Sequence, residues 1–352
     1  MTQIKWWFDA ATAPSESARQ AAQAHQNQLT KPQGSLGLLE TLAIDLAAMQ
    51  NSAKPQIQQP HMLIFAGDHG IVAQGVSAFP QSVTIAMLSN FVNGGAAVAT
   101  LCKQQGIELS VINCGTANPC AHLAHIIHQP IMAGTQDFSQ QAAMSAEQSV
   151  LALNLGKAQV ERVHQQGCDF LMLGEMGIGN TSAASCLSAL LLGQDVSSLT
   201  GPGTGVEGDA LAHKKAILSA SVARAQPLIN SHLGILEQVG GLEIAAITGA
   251  YIRASQLGIP CLVDGFITSA AALLAVQLNP SARPWLLFAH QSAEHGHGIL
   301  LNALAAKPIL NLGMRLGEGS GAAVAFATVQ QALVIHNHMA TFAQAAVAGK
   351  SQ

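Results

Sequence analysis

The segment Gly313-Met314-Arg315-Leu316-Gly317-Glu318-Gly319-Ser320-Gly321 sets one acid among glycines, where an apolar stretch gives way to a helical pattern beginning near Ser320. A carboxylate with glycine and apolar neighbours loses water readily, and desolvation raises its pKa toward that of a useful general base. An acid just ahead of a helix also suits the positive end of the helix dipole, which would lower the pKa instead. The local pattern supports both roles equally.

A second segment, Leu173-Gly174-Glu175-Met176-Gly177-Ile178-Gly179-Asn180-Thr181-Ser182, follows an apolar run and precedes an Ala-rich helix. Gly177 and Gly179 let the backbone approach an anion, and Asn180 or Thr181 can cap a helix whose free N–H groups favour phosphate. The spacing is neither a Walker loop nor GxGxxG, and a ligand-free turn between strand and helix fits it too. Further on, Gly201-Pro202-Gly203-Thr204-Gly205 and Lys214 can close around the same phosphate, the lysine acting as a point charge. Taken alone, Lys214 reads more simply as a solvated side chain.

Asp68 and His69, in Ala66-Gly67-Asp68-His69-Gly70, end the first apolar run, where a metal or an acid/base pair would sit. Equally, Asp68 can bond backbone amides of the loop that follows. His290, His295 and His297 resemble metal ligands, but no cysteine or carboxylate spacing completes a zinc site, so no metal is expected.

The elements that must position these residues follow from periodicity. Short apolar runs at 62–66, 108–113, 170–174, 261–263 and 285–289, with a weaker one at 309–312, predict strands buried on both faces. Helices are predicted at 82–104, 143–165, 180–193, 207–225, 241–257, 266–278, 292–305 and 319–338. Two more, at 11–27 and 35–50, are joined by the Lys31-Pro32-Gln33-Gly34 turn, with Ser35 as N-cap. This alternation predicts an α/β fold, a doubly wound, mostly parallel, Rossmann-like sheet with ligands beyond the carboxyl ends of its strands.

Only 10% of the 352 residues are Asp, Glu, Lys or Arg. Soluble proteins carry about 25%, so part of the surface is expected to be covered by a second subunit. The net charge is −4 and the longest basic run is Lys214-Lys215, which argues against gripping a nucleic-acid backbone and for a small-molecule partner. No uncharged apolar run is read as reaching the roughly 18 residues that span a bilayer, and no leader pattern opens the chain. A cytoplasmic protein without membrane contact is expected. The six cysteines, Cys102, Cys114, Cys120, Cys168, Cys186 and Cys261, lack CxxC spacing and read as reduced core thiols.

Taken in order, several blocks resemble the nicotinate-nucleotide-dimethylbenzimidazole phosphoribosyltransferases of cobalamin nucleotide-loop assembly. They are Lys31-Pro32-Gln33-Gly34-Ser35-Leu36-Gly37, Ala66 to Gly70, Gly75 to Pro80, Asn93-Gly94-Gly95, Gly174 to Thr181, Val263-Asp264-Gly265-Phe266, Ser292-Ala293-Glu294 and Met314 to Gly321. The resemblance implies a homodimer, with a small helical domain from residues 1–55 plus 325–352 and a catalytic domain from residues 56–324. It implies Glu318 as catalytic base and Glu175 as the second acid. It implies that Gly177, Gly179, Asn180, Thr181, Gly203, Lys214 and Ser292 hold the nucleotide phosphate and ribose. Ser77, Phe79, Met87, Met176 and Leu316 are implied to line the base pocket, although Ala86 and Met87 stand where many relatives carry a glutamine. The implied substrates are nicotinate mononucleotide and a benzimidazole-type base, with no cofactor. Two readings remain beside it: a metal-dependent phosphohydrolase built on Asp68, His69 and the histidine cluster, and a nucleotide-sensing protein that uses the glycine loops alone.

Overall fold

The computed structural model describes residues 5–203 and 205–348. Its centre is a parallel sheet of β1 (Pro60–Gly67), β2 (Glu108–Gly115), β3 (Ile126–His128), β4 (Phe170–Met176), β5 (Cys261–Val263) and β6 (Leu286–Phe288). The strand order is β3-β2-β1-β4-β5-β6. The chain therefore winds outward from β1 in one direction and, from β4, in the other. That reversal opens a crevice beyond the carboxyl ends of β1 and β4.

Helices flank both faces: α1 (Glu16–Gln26), α2 (Leu38–Met49), α3 (Ser82–Val92), α4 (Ala97–Gln105), α5 (Ala146–Gln165), α6 (Asn180–Leu192) and α7 (Gly208–Ala225), then α8 (His232–Val239), α9 (Leu242–Gln256), α10 (Phe266–Leu278), α11 (His297–Ala303), α12 (Ser320–His338) and α13 (Phe342–Ala345). The two-residue period of β1 divides the core. Leu63 and Phe65 point into the layer built by α5, α6, α9 and α10. Met62, Ile64 and Ala66 point into the layer of α2, α3, α4 and α12.

Several boundaries differ from the sequence expectation, each for a local reason. The helix expected at 82–104 is two helices, because Asn93-Gly94-Gly95 breaks it and Gly94 takes a φ of 78°. By length and composition Ser82–Gln105 meets the test for a membrane span, against the sequence expectation, but the break leaves neither half long enough to cross. Helix α2 starts at Leu38 after Gly37, so Ser35 is a turn residue rather than an N-cap. The segment expected as helix at 292–305 is helical only from His297, leaving Ser292 to Gly296 as a loop beside the site. The weak strand at 309–312 is a single bridge between His290 and Leu310. Strand β3 and helix α8 carry too few residues to show a period in sequence.

The two ends of the described chain meet. Leu29 bridges Thr341, the Gln26 amide lies 2.8 Å from His336 Nδ1, and Asn337 donates to the Pro55 carbonyl at 2.8 Å. The boundary expected at residue 325 falls inside α12, which runs unbroken from the crevice to these terminal helices. All six cysteines are buried free thiols.

Candidate active site

A cavity of about 500 Å³ opens at the carboxyl ends of β4, β5 and β6. Of the expected residues, Glu318, Glu175, Gly177, Asn180, Thr181, Gly203, Ser292, Phe79, Met176 and Leu316 line it. Gly179 and Lys214 stand behind that wall, and Ser77 and Met87 are outside the lining. Thr204 lies outside the described residues.

Glu318 occupies the most constrained position. Its φ is 65°, between Gly317 and Gly319 at 80° each. The left-handed region costs a non-glycine residue about 1–3 kcal/mol, which the surroundings must offset. They do so from two sides. Asp264, just beyond β5, accepts the amides of Gly319 at 3.2 Å and Ala322 at 2.7 Å, capping α12 immediately after the acid. Glu175, at the end of β4, accepts the Glu318 amide at 3.3 Å. Among the described residues nothing bonds the Glu318 carboxylate itself, and burial pushes its pKa up to about 7. The two local roles left open for this acid are thereby separated: desolvation dominates, and Asp264 takes the helix terminus.

Glu175 is buried, and its second oxygen accepts the Asn180 amide. Its pKa rises to about 8, first from desolvation and then from the charges of Asp264, Glu243 and Glu318. Desolvation likewise lifts Asp264 to about 7. Asn180 thus serves Glu175 rather than capping α6, which starts after Gly179 without a side-chain cap, the amides of Asn180 and Ser182 turning back onto the carbonyls of Gly177 and Gly179 at 3.0 Å each.

Lys214 is buried rather than solvated, correcting its simplest reading in sequence. From α7 its ammonium donates to Thr181 Oγ1 at 3.1 Å. Burial lowers its pKa to about 8, opposed by the nearby Glu294 carboxylate. A β-carbon on Gly203 would lie 3.0 Å from that ammonium and 2.7 Å from Thr181 Oγ1, so this loop needs glycine to approach the lysine. Gly177 is similarly constrained, since a β-carbon there would lie 1.9 Å from the Gly67 carbonyl. Its absence of side chain serves strand-end packing first.

A phosphoribosyltransferase family model matches residues 11–347. The chain belongs to that family. It is 50% identical to the nicotinate-nucleotide–dimethylbenzimidazole phosphoribosyltransferase of Ectopseudomonas mendocina over 349 residues, 99% of each chain. It is 49% identical over 352 residues, again 99% of each, to the protein of the same name from Pseudomonas aeruginosa strain UCBPP-PA14. The crystal structure of CobT from Thermus thermophilus superposes with a TM-score of 0.90 at 38% identity, covering 94% of this chain and 99% of that one.

In this transferase the other candidate ligands have structural partners. Asp68 accepts Thr84 Oγ1 at 2.6 Å and the Ala117 amide at 2.9 Å. His69 Nε2 lies 2.8 Å from Glu243, both fully buried. His297 Nδ1 accepts the Ser292 amide at 2.8 Å, its Nε2 lies 3.0 Å from Ser269 Oγ, and burial lowers its pKa to about 3. Sequence reasoning assigned no role to Asp264, Glu294 or Arg315, all of which line the cavity. All three fall in blocks that carry the family resemblance, and Asp264 carried a further signal as the first residue after a strand.

Proposed function

We propose that this phosphoribosyltransferase transfers the ribose 5′-phosphate of nicotinate mononucleotide to 5,6-dimethylbenzimidazole or a related base, giving α-ribazole 5′-phosphate and nicotinate for cobalamin assembly. The observation that carries the reading is the unpartnered, desolvated Glu318 carboxylate at the cavity wall. The bond from C1′ to the pyridinium nitrogen breaks with its electron pair, so nicotinate leaves with a neutral ring nitrogen and needs no acid. One benzimidazole nitrogen bonds to C1′ while the other releases its proton to Glu318, whose raised pKa matches such a transfer near neutral pH. Glu175 fixes the Glu318 backbone through its amide and acts as the second acid.

The donor phosphate fits between the Gly177 and Gly203 loops, at the N-terminus of α6, with Lys214 behind as counter-charge. Phe79, Val83 and Leu316 supply an apolar entrance for the acceptor ring. With Ala86 exposed on α3, Met87 packed against the core and neither lining the cavity, shape rather than a side-chain amide selects the acceptor. The deciding experiment mixes nicotinate mononucleotide with a panel of benzimidazoles, purines and phenols and reads products by mass spectrometry. Release of nicotinate with a matching ribotide supports the reading. Donor binding without nicotinate release supports the nucleotide-sensing alternative.

A further inference from the structure

Beyond that reaction, which it takes as its basis, the structure contains a buried link between the two sides of the cavity. Thr84 is fully buried on α3, one residue after Val83, which lines the acceptor entrance. Its hydroxyl donates to Asp68 Oδ1 at 2.6 Å and accepts the Ile178 amide at 3.2 Å. An amide only donates, so the Thr84 oxygen must accept from Ile178, and its one proton is directed to Asp68. Ile178 lies between Gly177 and Gly179 in the loop that faces the donor. Asp68 is itself anchored: its other carboxylate oxygen accepts from Ala117, its amide donates to the Gly115 carbonyl at 3.0 Å, and its carbonyl accepts from Thr135 at 2.9 Å.

We propose that Thr84, oriented by Asp68, is a positioning residue that ties the acceptor-side helix α3 to the donor-side loop 177–180 and so sets the distance between the two bound substrates. Gly177 packs directly on the Gly67 carbonyl, so the loop is held against the end of β1 on one side and by the Thr84 bond to Ile178 on the other. A bond of this kind matters most when two reactants must meet, because small misplacements of bound groups lose rate out of proportion to their size.

The test compares Thr84→Val, which keeps the shape and removes the hydroxyl, with Thr84→Ser, which keeps the hydroxyl. With nicotinate mononucleotide and dimethylbenzimidazole as substrates, Thr84→Val should raise the KM of both and lower kcat, each by about tenfold, while Thr84→Ser stays within about twofold of wild type. Wild-type constants in Thr84→Val, or equal losses in both variants, would overturn the proposal. If Thr84→Val does not fold, hydrogen exchange on the wild type decides. Nicotinate mononucleotide alone should protect residues 82–88 together with 177–180, and protection confined to 177–180 refutes the link. If wild type binds the donor but transfers it to no base, the functional reading fails, and the same comparison is made on donor affinity by calorimetry.

Discussion

At the scale of single residues, one carboxylate has been freed of partners while its neighbours hold its backbone. Replacing Glu318 by Gln keeps size and hydrogen-bonding reach but removes the proton acceptor, so turnover should fall by about 10²–10⁴ with ligand affinities largely kept. Pre-steady-state rates of Glu318→Gln beside Glu175→Gln test this, and a larger loss in Glu175→Gln would reverse the roles. Because only the ionised base accepts a proton, wild-type kcat/KM should rise with pH through about 7, the value to which burial lifts Glu318. Lys214→Ala should raise the KM for nicotinate mononucleotide about tenfold to a hundredfold, the weight of a charged hydrogen bond. An unchanged KM would place the phosphate elsewhere. Glu318 and Glu175 stood out in sequence as acids among glycines. Asp264 did not, because its work is done through amides of α12, far away along the chain.

At the scale of elements, the long apolar strands β1 and β4 and the Ala-rich helices of the catalytic layers were legible from periodicity, since burial on both faces leaves continuous apolar runs. What was illegible had no period to read. Strand β3 is three residues long, and Ser292 to Gly296 looks helical in composition but is held as a loop by the His297 bond to the Ser292 amide. The start of α12 is the element on which the site depends. Asp264→Ala leaves the buried amides of Gly319 and Ala322 without an acceptor, which should cost about 1–3 kcal/mol for each unsatisfied group. Urea titration should show the lowered midpoint, and the displaced Glu318 should lose activity in step. A stable but inactive Asp264→Ala protein would mean that Asp264 acts on the reaction rather than on the cap.

At the scale of the whole molecule, a surface with few charges has to be covered or tolerated. We propose a homodimer with an apolar, Ala-rich interface, and the grouping of residues 1–55 with 325–352 as a small helical unit resting on the same chain-end contacts. Light scattering at micromolar concentration should give twice the chain mass, and a monomer mass would refute the dimer.

The acid cluster also makes a prediction about the stability of the entire fold. Glu175, Asp264 and Glu318 have pKa values raised to about 8, 7 and 7, chiefly by desolvation, whereas their ordinary values are 4.5, 3.8 and 4.5. Between those limits the folded chain holds protons that the unfolded chain has released. Stability therefore declines as pH rises. The contribution is complete below about pH 4 and is lost as pH passes through 7 and 8. Other groups add their own slopes, so the cluster is isolated by difference: Glu175→Gln removes one of these protons, its single oxygen still accepts from Asn180, and the lost bond to the Glu318 amide shifts the whole curve without changing its slope. The unfolding midpoint of wild type, followed from pH 5 to pH 9 in urea, should fall more steeply than that of Glu175→Gln, the gap between the two curves growing from pH 5 to about 8 and holding constant above it. Parallel curves would show that Glu175 is ionised in the folded protein throughout, and that the protons of the site reside elsewhere.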